Sequence, residues 1–165
     1  MGGRGASSAS RAVTVYDKAL KESRGYAEML IERMGSGGIA EQIPQWIIDK
    51  DTRLGIRTSE MYVVRETERA LLVSDEARMF GASQDGEFWV PKSQLQSAAK
   101  TKQEIYDKAA NSFVSDMYTS YLKKTAAENN VKIGNLGSSW GKITAKLQKK
   151  GLTVMSREEF KKSKA

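Results

Sequence analysis

Lys142, Lys146, Lys149 and Lys150 recur at intervals of four, three and one residues. On a helix this spacing gathers them on one face, apart from Trp140, Ile143 and Leu147 on another. Ammonium groups so placed could neutralise the phosphates of a nucleic acid. Gln148 is the only residue of the base-reading types beside them, so they would supply affinity without sequence choice. A lysine-rich solvated face is the plain alternative. A second group combines Arg65, Arg69, Trp89 and Lys92 with Tyr62 and Phe88 nearby. In such a mixture aromatic rings stack on exposed bases while cations follow the backbone, and Lys92 and Arg69 become secondary candidate contacts.

Most catalytic chemistry is missing from the alphabet of this chain. It has no cysteine and no histidine, hence no thiolate nucleophile, disulfide or imidazole base. A bound metal would have to be a hard cation held by carboxylates. Glu66, Glu68, Asp75, Asp85 and Glu87 could serve a metal-dependent nuclease. Glu66 and Glu68, however, stand beside arginines on a solvated strand edge, a common guard against edge pairing, and Asp85 precedes Gly86 in a turn. Glu159-Phe160-Lys161 has the Glu-x-Lys spacing of some nucleases but falls on an expected helix. Gly137-Ser138-Ser139-Trp140-Gly141-Lys142-Ile143-Thr144 fails as a phosphate-binding loop: three residues rather than four separate the glycines, and Ile143 follows the lysine. The chain is therefore expected to be no enzyme and to need no cofactor or metal.

The elements that must carry these residues follow from periodicity. Residues 1–11, rich in Gly, Ser and Ala, read as a flexible arm. Tyr16, Leu20, Ala27, Leu30, Ile31 and Met34 keep helical spacing from about Val15 to Met34. Ile39 to Leu54 reads as a short helix with Pro44 at its first position and Trp46 anchored in the core. Met61–Val64, Ala70–Val73 and Phe88–Val90 predict three antiparallel strands. Alternation buries either Phe88 and Val90 or Trp89, and the usual behaviour of large aromatics favours Trp89 as the core anchor. A long helix should run to Asn129-Asn130, and Ser138 or Ser139 should cap another from Trp140 to Lys150, closed by Gly151. Leu152 to Met155 is expected as a strand, and Ser156 with Glu159 as a capping box. The end of the long helix, the helix from Trp140 to Lys150 and Leu152-Thr153-Val154 loosely resemble a helix-turn-helix with a wing, with a loop longer than the usual tight turn.

The fold class is thus α+β, a small antiparallel sheet of about three strands covered by helices, with a basic C-terminal helical region. After the arm, 12–165 reads as a single domain, with 12–91 as a helix and hairpin part and 92–165 as the basic helical part. The first 91 residues carry 12 basic and 14 acidic residues, a balance of −2, and the remainder 15 and 6, a balance of +9. That asymmetry favours an anionic partner. No apolar run reaches the ~18 residues of a membrane span and no secretory signal is evident. A cytoplasmic protein without membrane contact is the expectation.

Glu66-Thr67-Glu68-Arg69-Ala70 with Trp89-Val90-Pro91-Lys92-Ser93 resembles a pattern of small uncharacterised proteins of phages and mobile elements. The N-terminal Gly3-Arg4-Gly5-Ala6-Ser7-Ser8 is similar to theirs. The resemblance implies an accessory protein of a mobile element and carries no known activity. Two functions are expected in competition. One is a non-enzymatic nucleic-acid-binding accessory protein using the lysine-rich helix. The other is an anti-defence type inhibitor that binds a larger host protein or ribonucleoprotein.

Overall fold

A reciprocal cap opens the first helix, α1 (Val15–Arg33): Thr14 N–H donates to Asp17 Oδ2 at 3.0 Å, and Asp17 N–H to Thr14 Oγ1 at 3.1 Å. The structure is a computed structural model that describes residues 12–35, 38–52, 54–75, 86–134 and 139–165. The 1–11 arm and Ser138 lie outside the described residues. After α1 come a 3-10 turn (Ile39–Gln42), α2 (Gln45–Asp51), β1 (Met61–Glu66), β2 (Ala70–Asp75), β3 (Glu87–Pro91), a second 3-10 turn (Lys92–Gln94), α3 (Ala98–Glu128), α4 (Trp140–Lys149) and α5 (Arg157–Lys162). The strands form one antiparallel sheet in the order β1-β2-β3, so the protein is α+β.

The chain divides into two compact units. The first holds the described residues up to Glu22 together with Ala110–Ala165, and the second holds Ser23–Ala109. Both divisions fall inside helices, α1 and α3. In the first unit, Ala110, Val114, Tyr118, Leu122 and Ala126 of α3 are buried with Val15 and Ala19 of α1, Ile143 and Leu147 of α4, and Phe160 of α5. Val15 N–H donates to Ser163 O at 2.9 Å and Ala165 N–H to Val13 O at 2.8 Å, an antiparallel clasp between the ends of the unit. The Ser156–Glu159 capping box is present as expected.

In the second unit one cluster joins α1 and α3 through Ala27, Met34, Ile105 and Ala109. Another lies under the sheet and is built from Met61, Leu71, Val73, Phe88 and Val90 with Ala40, Ile43, Ile47 and Ile48. Arg57 is buried beneath this layer, where its guanidinium donates to the carbonyls of Ala40 and Ile43 and to Gln45 Oε1 at 3.4 Å. It thereby ties the end of the 3-10 turn, where the Ala40 carbonyl also accepts from Ile43 N–H at 3.4 Å, to the approach to α2. Burial pulls Arg57 down to about 10, with partial compensation from Glu104 and Asp49, and at neutral pH it remains a cation.

Four expectations are corrected. Trp89 is not the core anchor: it is 47% exposed while Phe88 is 7% exposed, because Phe88 and Val90 oppose Val73 and Leu71 over the core. Trp46 is 53% exposed, since Ile47 and Ile48 set the buried side of α2 and Trp46 lies roughly 150° from their midpoint. Pro44 stands before α2 as its cap residue rather than at its first position. Leu152 to Met155 pairs with no strand. Its backbone is held by side chains instead, with Tyr118 Oη donating to Met155 O at 2.8 Å and Met155 N–H to Tyr121 Oη at 3.0 Å.

The corrected strand phase yields a mutational contrast. Phe88→Ala should lower unfolding stability by about 3–5 kcal/mol, whereas Trp89→Ala should stay within about 1 kcal/mol. Urea denaturation of both variants measures the difference, and equal losses would contradict the observed phase.

Candidate nucleic-acid interface

Helix α4 is held from below, and that grip decides what it shows to solvent. Ile143 and Leu147 are fully buried. Trp140 packs edge-on to Tyr118 with ring centroids 5.3 Å apart, and its indole Nε1–H donates to Thr119 Oγ1 at 2.8 Å. A helix has one side left once these residues are committed. That side carries Lys142, Ala145, Lys146, Lys149 and, just past the last turn, Lys150, which line an open concavity of about 710 Å³. Ser139 is the N-cap residue, although its side chain makes no capping bond.

The end of α4 is geometrically defined. Gly151 has φ +79°, its N–H donates to Gln148 O at 2.9 Å, and Leu152 N–H reaches back to Leu147 O at 3.2 Å. These two bonds are a Schellman motif, and the left-handed residue turns the chain sharply away after Lys150. Lys146 and Lys149 also sit in the last turn, where cations complement the helix dipole. Lys146 Nζ donates to the carbonyl of Lys132, which tethers one of the four ammonium groups. None of the four lysines forms a salt bridge among the described residues. Their positive field is therefore not cancelled locally.

The charge of the whole sequence follows the structural units. Residues 1–22 and 110–165 together carry 15 Lys and Arg against 6 Asp and Glu, a balance of +9. Residues 23–109 carry 12 against 14, a balance of −2. The lysine helix belongs to the positive unit. Lys92 and Arg69 belong to the other, and Lys92 is committed to Glu66 at 2.6 Å. Lys92 N–H also donates to Arg69 O at 2.8 Å, which fixes those two residues side by side on the sheet. The structure thus brings the four helix lysines together on one helix, while Lys92 and Arg69 belong to the other unit.

Among the described residues the carboxylates of the hairpin do not gather into a metal-binding group. Asp75 is buried at the end of β2, Glu66 pairs with Lys92, and Glu68 is exposed in the β1–β2 turn. Asp85 lies outside the described residues. Among the described residues no group of three or more His, Cys, Asp or Glu is placed to hold a metal ion. No described helix is long and apolar enough to cross a membrane. No protein-family model, curated protein or solved structure matches this chain.

Two exposed groups show how local hydrogen bonds tune charge. The Glu28 carboxylate accepts from Arg24 Nε at 3.0 Å and raises Arg24. The Ser156 backbone N–H, then its hydroxyl, hold Glu159 below its usual value of 4.5. A depressed carboxylate stabilises the fold above its unfolded value, and that stabilisation is lost as pH falls through the folded value. Stability should therefore drop as the pH is lowered below about 4.5. Thermal melts from pH 6 to pH 3 should show a shallower fall for Glu159→Gln than for the wild type.

Proposed function

We propose that the chain is a non-enzymatic nucleic-acid-binding protein in which Lys142, Lys146, Lys149 and Lys150 contact phosphates. One observation carries the reading: four lysines that form no salt bridge among the described residues line one open concavity on a helix whose opposite side is buried. Neutralising phosphates releases condensed counterions, so lysines alone supply affinity for any sequence. The small side chain of Ala145 between them leaves room for a backbone to approach. The resemblance of the hairpin and N-terminal residues to mobile-element proteins supports an accessory role of the same kind.

Fluorescence anisotropy of labelled single-stranded DNA, duplex DNA and RNA, repeated across salt concentrations, tests the reading. Replacing the four lysines by Ala should weaken binding at least tenfold at moderate salt. It should also flatten the salt slope by roughly 0.7 to 0.9 for each phosphate that is no longer neutralised. An unchanged affinity and slope would refute the assignment. Absence of any binding by the wild type would transfer the function to recognition of a larger host protein or ribonucleoprotein.

A further inference from the structure

Trp89 points out of the sheet, and the strand register shows what stands beside it. Leu72 of β2 opposes Trp89 of β3, and Arg65 of β1 opposes Leu72. Residues directly opposite in antiparallel strands share a face, so Arg65, Leu72 and Trp89 form one cross-strand row, with Arg65 following a bulge at Val64 that shifts the β1–β2 register. Arg65 and Trp89 are two strand spacings apart, roughly 10 Å. The indole is 47% exposed, Leu72 is partly buried between the two, and the Arg65 guanidinium makes no ion pair among the described residues. Tyr62, 46% exposed, and Glu87 flank Ser74 in the next row of the same face. Neither Tyr62 nor Glu87 is without partners.

We propose that this row is a binding site for an unpaired nucleobase, with Trp89 as the stacking platform and Arg65 as the contact to the adjoining phosphate, and that the ligand is a single-stranded nucleic acid. Charge separates single strand from duplex. The unit that contains the sheet carries a balance of −2, so its field gives no general attraction for a polyanion. A duplex hides its base faces and offers this surface little beyond phosphate. A single strand offers a π-face at every nucleotide, and stacking on an aromatic side chain adds roughly 1–3 kcal/mol per base. A guanidinium set one strand beyond the aliphatic floor supplies the local cation that such a nucleotide needs. The inference adds a second site to the function proposed above and rests on different residues.

The experiment uses the full chain with a labelled dT 15-mer and a 15-base-pair duplex. Trp89→Ala should lower affinity for the dT 15-mer roughly tenfold and change duplex affinity less than twofold, while Trp89→Phe keeps most of the binding. Arg65→Ala should flatten the single-strand salt slope by about 0.7. Circular dichroism checks that each variant is folded. A second readout needs no loss of function: the dT 15-mer should quench the intrinsic tryptophan emission of the wild type, and Trp89→Phe should remove most of that quenching while Trp46→Phe leaves it in place. If Trp89→Ala binds the dT 15-mer as the wild type does, the site is wrong even where the four-lysine variant loses affinity. If the four-lysine variant binds normally and Trp89→Ala does not, the lysine reading fails and this one stands. A change in sedimentation mass without a change in binding would make the face a self-association surface and overturn the proposal, as would a wild type that binds no single strand at low salt.

Discussion

Helix α3 contributes core residues to both units, and the packing of α1, α4 and α5 depends on how it distributes its side chains. Ala110, Val114, Tyr118, Leu122 and Ala126 follow one another at intervals of four residues. Since 3.6 residues make a turn, such a row rotates by about 40° per step and about 160° over its length. A stripe that winds in this way cannot be covered by one partner helix. It is covered in turn by residues from α1, α4 and α5, and the N-terminal part of α3 adds Ile105 and Ala109 to the second unit. Asn130, with φ +57°, ends the helix, and its C-terminal neighbour Val131 is buried in the same core.

The two surfaces proposed to bind nucleic acid would use different physics. On α4 the residues facing inward are large and the residue between the lysines is small, so charge dominates and shape contributes by leaving space. On the sheet the charges nearly cancel and an exposed indole dominates. Phosphate contact responds to ionic strength because it exchanges one set of ions for another, while stacking excludes water from a ring and responds far less.

The parts of the fold that were legible in the sequence are those governed by local chemistry. Helical spacing from Tyr16 to Met34, the three β-branched and aromatic runs, Ser156 with Glu159, and Gly151 after the lysine helix all state their role within a few residues. The four lysines were legible for the same reason, since one helix places them together. The phase of Phe88-Trp89-Val90 was not, because alternation fixes that neighbours face opposite ways without saying which face is covered. Trp46 was misread for a similar reason: hydrophobicity ranked it as an anchor, but two adjacent isoleucines on a seven-residue helix left it the outer side. Leu152 to Met155 has the composition of a strand, yet two tyrosine hydroxyls more than thirty residues earlier take the place of a neighbouring strand. The division of the molecule falls within α1 and α3, where no change of composition marks it.

The backbone clasp between residues 13–15 and 163–165 closes the first unit over one of the longest sequence separations the chain allows. Lys161 reinforces it, with its ammonium 4.7 Å from the centroid of the Tyr16 ring. Closing so long a loop is entropically unfavourable until the intervening chain is ordered. Its two strands lie side by side, so a short peptide linker could join them and the chain could be reopened at the exposed β1–β2 turn. Such a circular permutant would exchange this long-range closure for a covalent one.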